Sequence, residues 1–299
     1  MSRIRIANAP CSWGVLEFDR DKKAPFERVL DEMKQAGYEG TELGDWGFMP
    51  TDPAELGDEL RRRDLVLLGA FVPVALRQQG AHAPGVDLAV RTATLLAALN
   101  DQAFLVLADD NGTVPDRTRN AGRIGPELEL TDAEWKIFAH GANRVAAAVR
   151  DATGLRTVFH HHCAGYVETP GEIDRLLSLT DPKLLGLCLD TGHGAFGGGD
   201  PLRLLEQHPE RVWHVHFKDC STEVAATSRA RGWDYFESVR HGVFCELGQG
   251  VVPFREIAGL LEKRGYAGSI VVEQDVLAGM GTPLESAKRN RAFLREIGL

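Results

Sequence analysis

Short runs of apolar residues recur along the chain, and a stretch with helical spacing follows each one. The fullest run is Leu184-Leu-Gly-Leu-Cys-Leu-Asp190, stopped by Thr191-Gly-His193. A short run without polar alternation suits a strand covered on both faces, as in a parallel sheet under helices. Alternation puts Gly186, Cys188 and Asp190 on one face and Leu185, Leu187 and Leu189 on the other. The small residues fit a crowded barrel interior, and the leucines fit a contact with helices. Asp190 falls at the carboxyl end of the strand, where parallel α/β folds carry their chemistry. An Asp there also caps a following helix, so two roles are open to it.

The same reading predicts strands over 3–8, 40–44, 65–72, 103–108, 155–162, 184–190, 212–217 and 269–273. Helices are expected over 25–36, 52–63, 86–100, 131–153, 169–179, 201–208, 254–264 and 283–297. Gly37 marks the end of the first helix, and Thr131-Asp-Ala-Glu134 has the form of a capping box. Two segments break the alternation: a polar loop from 111 to about 130, and an insertion of irregular composition over about 219–252. Eight strand–helix alternations predict an α/β chain forming a single (β/α)8 TIM barrel over residues 1–299. A doubly wound open sheet is the alternative, but no GxGxxG follows the first strand.

Composition narrows the function classes. With 34 Lys and Arg against 43 Asp and Glu, the formal charge is −9 and no basic run interrupts it. That argues against nucleic acid or an anionic membrane as partner. No signal-type or membrane-spanning apolar stretch is found, and the five scattered cysteines, without a CxxC, fit reduced thiols. A cytoplasmic enzyme is expected, and a homo-oligomer is compatible with everything above.

Four strand ends carry metal-type side chains. Strand five ends in His160-His-His162, with His160 and His162 facing the same way; strand six ends at Asp190, with His193 a turn later. Strand seven carries His214, His216 and Lys218 on one face, and strand eight ends in Glu273-Gln-Asp275. These strands are consecutive, so their ends lie side by side around half of a barrel mouth. Imidazoles mixed with carboxylates suit a divalent cation, Mn or Co first, with Zn, Fe and Mg as alternatives; an all-oxygen site would favour Mg or Ca. Taken singly, each of these residues has a plain structural explanation, such as a Lys218–Glu273 ion pair. Trp13 is either an apolar wall for a ring or a plug for the barrel end, and Glu42 either binds a substrate hydroxyl or caps a helix.

The segments His160-His-His162, Val167-Glu-Thr-Pro170, Asp190-Thr-Gly-His193, Gly198-Gly-Asp-Pro201, His214-Val-His-Phe-Lys-Asp219, Val239-Arg-His-Gly-Val-Phe244 and Val271-Val-Glu-Gln-Asp275 resemble the xylose-isomerase-like TIM-barrel superfamily of sugar isomerases, epimerases and dehydratases. Within it the likeness is to the inosose (2-keto-myo-inositol) dehydratase branch, over nearly the whole chain. That resemblance implies a metal held by one side chain from each of four successive strands, by position His160, Asp190, His216 and Glu273. His162 is the alternative ligand from strand five and otherwise a substrate contact. Catalytic roles are implied for Glu273, His193 and Lys218, and substrate contacts for His162, Trp13 and Glu42. Two departures stand out. A histidine, His160, replaces the first glutamate of the epimerases, which is one of their two acid/base groups. Leu247 stands where relatives usually carry Pro.

The implied activity is metal-dependent dehydration of a cyclic polyhydroxy ketone. A keto-sugar isomerase or epimerase working through an enediolate is the alternative. An apurinic-site endonuclease of related fold would need a basic groove that this acidic chain lacks, and a non-catalytic sugar-binding module would need no metal.

Overall fold

The computed structural model describes residues 4–14, 24–276 and 281–299. The expected start of the first strand at Arg3 lies outside them. Eight strands close into a parallel barrel: β1 (Arg5–Asn8), β2 (Gly40–Glu42), β3 (Val66–Pro73), β4 (Phe104–Ala108), β5 (Arg156–His160), β6 (Leu185–Asp190), β7 (Val212–Phe217) and β10 (Ser269–Val272). Each pairs with its predecessor, and β10 closes the ring between β7 and β1. A (β/α)8 barrel is therefore the fold.

Two apolar layers hold it together. Leu185, Leu187 and Leu189 turn outward into one continuous cluster with helix residues such as Val145, Val149, Ile173 and Leu204. Inside the ring, Phe104, Val106, Val158 and Cys188 form a separate cluster with Phe71 and Trp213. Space for side chains on β6 is tight at one position. A Cβ added at Gly186 would meet the Trp213 ring at 2.3 Å. Trp213 sits where the β6–β7 register shifts, between Leu187 and Cys188.

The helices start where local chemistry directs. They are α1 (Phe26–Ala36), α2 (Pro53–Arg62), α3 (His82–Leu99), α4 (Pro115–Arg119), α5 (Asp132–Thr153), α6 (Pro170–Leu179), α7 (Thr191–Phe196), α8 (Pro201–Gln207), α9 (Thr222–Arg231), α10 (Tyr235–Arg240), α11 (Phe254–Lys263) and α12 (Pro283–Glu296). Reciprocal capping boxes open α5, α6 and α12, at Thr131/Glu134, Thr169/Glu172 and Thr282/Glu285. None of the described helices is long and apolar enough to cross a membrane.

Two expectations are corrected. The segment expected as a loop over 111–130 contains α4, held because the buried Arg117 pairs with Glu172 through two 2.8 Å contacts and donates to the Gly165 carbonyl. The segment expected to be irregular over 219–252 contains α9, α10 and a small antiparallel sheet of β8 (Asp219–Cys220) with β9 (Phe244–Cys245). Its ends are tied by the buried Asp219 carboxylate, which accepts from the backbone N–H of Cys220, Gly248, Gly250 and Val252. Leu247 lies in that knot, and its N–H donates to Asn290 Oδ1, a bond that a proline there would lack.

Substituting Gly186→Ala is expected to destabilise the protein by about 1–3 kcal/mol through overpacking against Trp213. Urea unfolding checks this, and combining it with Trp213→Leu should recover part of the loss.

Candidate active site

Parallel pairing brings the chemistry to one level. His160 lies opposite Cys188, Asp190 opposite His216, and His216 opposite Val271. Glu273 continues that register, its N–H donating to the Phe217 carbonyl at 3.0 Å. One donor atom each from His160, Asp190, His216 and Glu273 lies within 4.8 Å of the others. His160 Nε2 is 3.5 Å from Asp190 Oδ2, and His216 Nδ1 is 3.1 Å from Glu273 Oε1 and 4.0 Å from Asp190 Oδ2.

Asp190 divides its carboxylate between two tasks. Oδ1 accepts the His193 N–H at 2.7 Å and caps α7, whereas Oδ2 faces the other donors with no hydrogen-bond partner. Both nitrogens of His160 and Nδ1 of His216 are buried and unpartnered as well. Buried polar atoms are seldom left unpaired, so a set of them converging on one point fits a bound cation. His216 also belongs to two other groups, with His160 and Cys188 and with Glu42 and His214. The first takes the Cys188 thiol, which packs with Phe104, Val106 and Val158 inside the ring, in place of the Asp190 and Glu273 carboxylates. In the second, Glu42 Oε1 and the two Nε2 atoms are already joined by hydrogen bonds.

That second group explains Glu42. Its Oε1 accepts from His214 Nε2 at 2.8 Å and from His216 Nε2 at 3.0 Å. Burial raises the Glu42 carboxyl, but the two imidazoles overcome this and hold it down to about 2. With the proton of His216 held on Nε2, its Nδ1 keeps the lone pair that a cation needs.

Charge around the donors is balanced by Lys218, whose Nζ lies 3.1 Å from Glu273 Oε2 and 3.6 Å from Asp275 Oδ2. Thr191 clamps it beside Asp190, donating to the Lys218 carbonyl at 2.7 Å and accepting its N–H at 3.0 Å. Burial raises the Glu273 carboxyl, yet Lys218 and His216 win and hold it well below the usual range. Asp190 is likewise raised by burial and brought below its ordinary value by His160 and Lys218.

These groups open into a cavity of about 330 Å³, a size suited to a small ligand. His160, His162, Lys218, Glu42 and Glu273 line it, and so do Asp275, Phe71, Asn111, Tyr235 and Phe236, which sequence reasoning did not single out as site residues. Asp275 shows a readable signal, a second carboxylate two residues after Glu273. Tyr235 and Phe236 reach the site from α10, an element whose position the sequence pattern does not reveal.

Two expected contacts are placed elsewhere. Trp13 is buried in the sheet–helix layer, and its Nε1 donates to Glu32 at 2.7 Å, so it does not line the cavity. His193 is fully buried off the cavity wall, its ring centroid 3.7 Å from that of His162 and 4.7 Å from that of Phe244.

Sequence and structure comparisons give the family and the fold. Residues 30–297 match the family described as xylose isomerase-like TIM barrel. The chain belongs to that family. It is 32% identical over 268 residues to an inosose dehydratase of Bacillus licheniformis, covering 90% of this chain and 87% of that one. An inosose dehydratase of Lacticaseibacillus casei is 30% identical over 292 residues, or 97% and 96% of the two chains. Among solved structures, 3-keto-D-glucoside 4-epimerase from E. coli superposes with a TM-score of 0.71 at 16% identity, covering 98% of this chain and 100% of that one. A probable 3-DHS dehydratase from Bacillus anthracis gives 0.70 at 15% identity, covering 98% and 99%. At those identities the two structures speak for the fold.

Removing the Glu42 carboxylate should free His216 to change tautomer. Glu42→Ala is expected to weaken Mn2+ binding by roughly 10–100-fold, and Glu42→Gln, which can still accept from Nε2, by less. Titration calorimetry of the metal-stripped variants is the check.

Proposed function

We propose that the protein is a metal-dependent lyase that removes water from a neutral cyclic polyhydroxy ketone, with 2-keto-myo-inositol as the leading substrate. The inosose dehydratases that the chain resembles over nearly its full length support the substrate class. So does the wall of the cavity. Among the described residues, Lys218 is the only Lys or Arg on it, and two carboxylates already hold its ammonium. Glu42, Asp45, Asp110, Glu273 and Asp275 share that wall, which makes it unfavourable to a phosphate or carboxylate and suitable for hydroxyl groups.

The observation that carries dehydration over epimerisation is the state of the carboxylates. Two-base epimerisation needs a second proton acceptor facing the first. Here β5 supplies the imidazole of His160, Glu42 is occupied by His214 and His216, and Asp275 shares the Lys218 ammonium with Glu273 and so lies beside it rather than across from it. Glu273, itself one of the donors, remains as the ionised carboxylate on the cavity wall.

His160, Asp190, His216 and Glu273 would hold the cation, with Mn2+ or Co2+ best suited to two imidazoles and two carboxylates. A divalent cation in that place supplies Lewis-acid charge to a ketone oxygen and so acidifies the neighbouring C–H. Glu273 accepts that proton. The Lys218 ammonium, 3.1 Å from Glu273, steadies the negative charge that spreads onto the substrate as the proton leaves. Phe71 gives the cavity an apolar wall for the C–H face of a ring.

Glu273→Gln is expected to lower turnover by roughly 10²–10⁴-fold at saturating Mn2+. Mass spectrometry of 2-keto-myo-inositol incubated with metal-loaded protein, scoring loss of one water, gives the rate. Near-normal turnover in the variant with metal still bound would remove Glu273 from the mechanism. Isotope exchange by the unaltered protein without water loss, across inosose and a panel of keto-sugars, would replace the lyase with an isomerase or epimerase.

A further inference from the structure

Dehydration needs a proton donor for the oxygen that departs as well as a base, and the expected donors are poorly placed for that. Lys218 points its ammonium at Glu273 and Asp275. His193 lies off the cavity wall, and its Nδ1 is turned to the Cys163 N–H at 3.4 Å. His162 does line the cavity, but its Nδ1 is 2.5 Å from the Cys163 carbonyl, which can only accept. The proton of neutral His162 is therefore on Nδ1, and its Nε2 offers a lone pair.

That lone pair meets the Tyr235 hydroxyl at 3.4 Å. Tyr235 is the first residue of α10, whose start is fixed by Asp234 accepting the Glu237 N–H at 2.7 Å. Its ring is packed with Cys163, Ala164, Val239 and Phe244 in a cluster separate from the main core. The phenol is thus anchored by its ring in a residue that lines the cavity. At 3.4 Å the bond to His162 is weak, so a substrate oxygen can compete for the proton.

We propose that Tyr235 is the catalytic residue that protonates the departing hydroxyl, with His162 as the positioning residue that orients the phenol. This rests on the lyase reading above. In the step, the α-C–H bond breaks and Glu273 takes the proton. The electron pair left behind is first held over the ketone as an enolate, and in a second, separate event it becomes the new C=C bond as the β-C–O bond breaks. The departing oxygen keeps that bond's pair, collects the phenol proton and leaves as water. The enzyme is left with a carboxyl at Glu273 and a phenolate at Tyr235, and one proton passing between them through solvent restores both. Burial disfavours the phenolate, and the Lys218 ammonium offsets part of that penalty.

The test uses Mn2+-loaded protein and 2-keto-myo-inositol deuterated next to the ketone, reading label washout and water loss separately. In Tyr235→Phe, water loss should fall by roughly 10²-fold or more while washout continues within about tenfold of the unaltered protein. Mn2+ affinity should stay within about threefold. Water loss kept within threefold overturns the proposal, and so does an equal fall of both readouts. If Tyr235→Phe does not fold, 3-fluorotyrosine at position 235 keeps the shape and changes the acidity. The ratio of water loss to washout should then move by more than about threefold, and an unchanged ratio overturns the proposal. If the unaltered protein itself shows washout without water loss, or neither, the lyase reading fails and takes this step with it. That failure is distinct because it appears before any substitution is made.

Discussion

One imidazole, His216, sets the geometry of the whole mouth. Its Nε2 is bonded to Glu42 from β2 and its Nδ1 faces Glu273 beyond β10, so a single ring spans the barrel between carboxylates from distant parts of the chain. Both nitrogens are in a dry interior where a misdirected proton or an unpaired charge costs several kcal/mol. The ring can neither flip nor retreat without breaking its hydrogen bond to Glu42, and backbone pairing of β5, β6 and β7 keeps their donors in register around it.

Rigidity around the mouth follows from buried charges placed in the loops. Arg117 and Glu172 bind the loop after β4 to the start of α6, and Glu168 accepts the N–H of Gly122 and of Ala164. Asp219 closes the base of the insertion with four backbone bonds. Phe236 then meets the turn at Gly112, where a Cβ would come within 3.0 Å of its ring. Loops built this way behave as walls of the cavity. Each anchor is a buried side chain satisfying backbone groups that would otherwise be orphaned.

Much of the fold was legible because both periodicities are strong. Every barrel strand and the long helices lie within a few residues of where apolar runs and caps place them, as with β7 at Val212–Phe217 and the Thr131 capping box of α5. What was missed has a common cause. α4, α7 and α10 are five or six residues long, too short to show a hydrophobic period, and the ten-residue α9 has no apolar stripe at all, so none of the four carries a periodic signal. Trp13 illustrates the same limit. An aromatic after β1 suits either a cavity wall or a packed plug, and its bond to Glu32 on α1 decides for packing.

By itself the sequence determined the barrel and the level at which its chemistry collects, since strand ends rich in His, Asp and Glu have one place to go once the strands are parallel and consecutive. It could not determine which way a ring nitrogen faces, or that Asp190 would cap α7 with one oxygen and leave the other free. Nor could it place Tyr235 against His162, across 73 residues of chain. Alternation along a strand is a local property written in neighbouring residues. The tautomer of an imidazole and the identity of its partner depend on groups brought close only when the ring of strands closes.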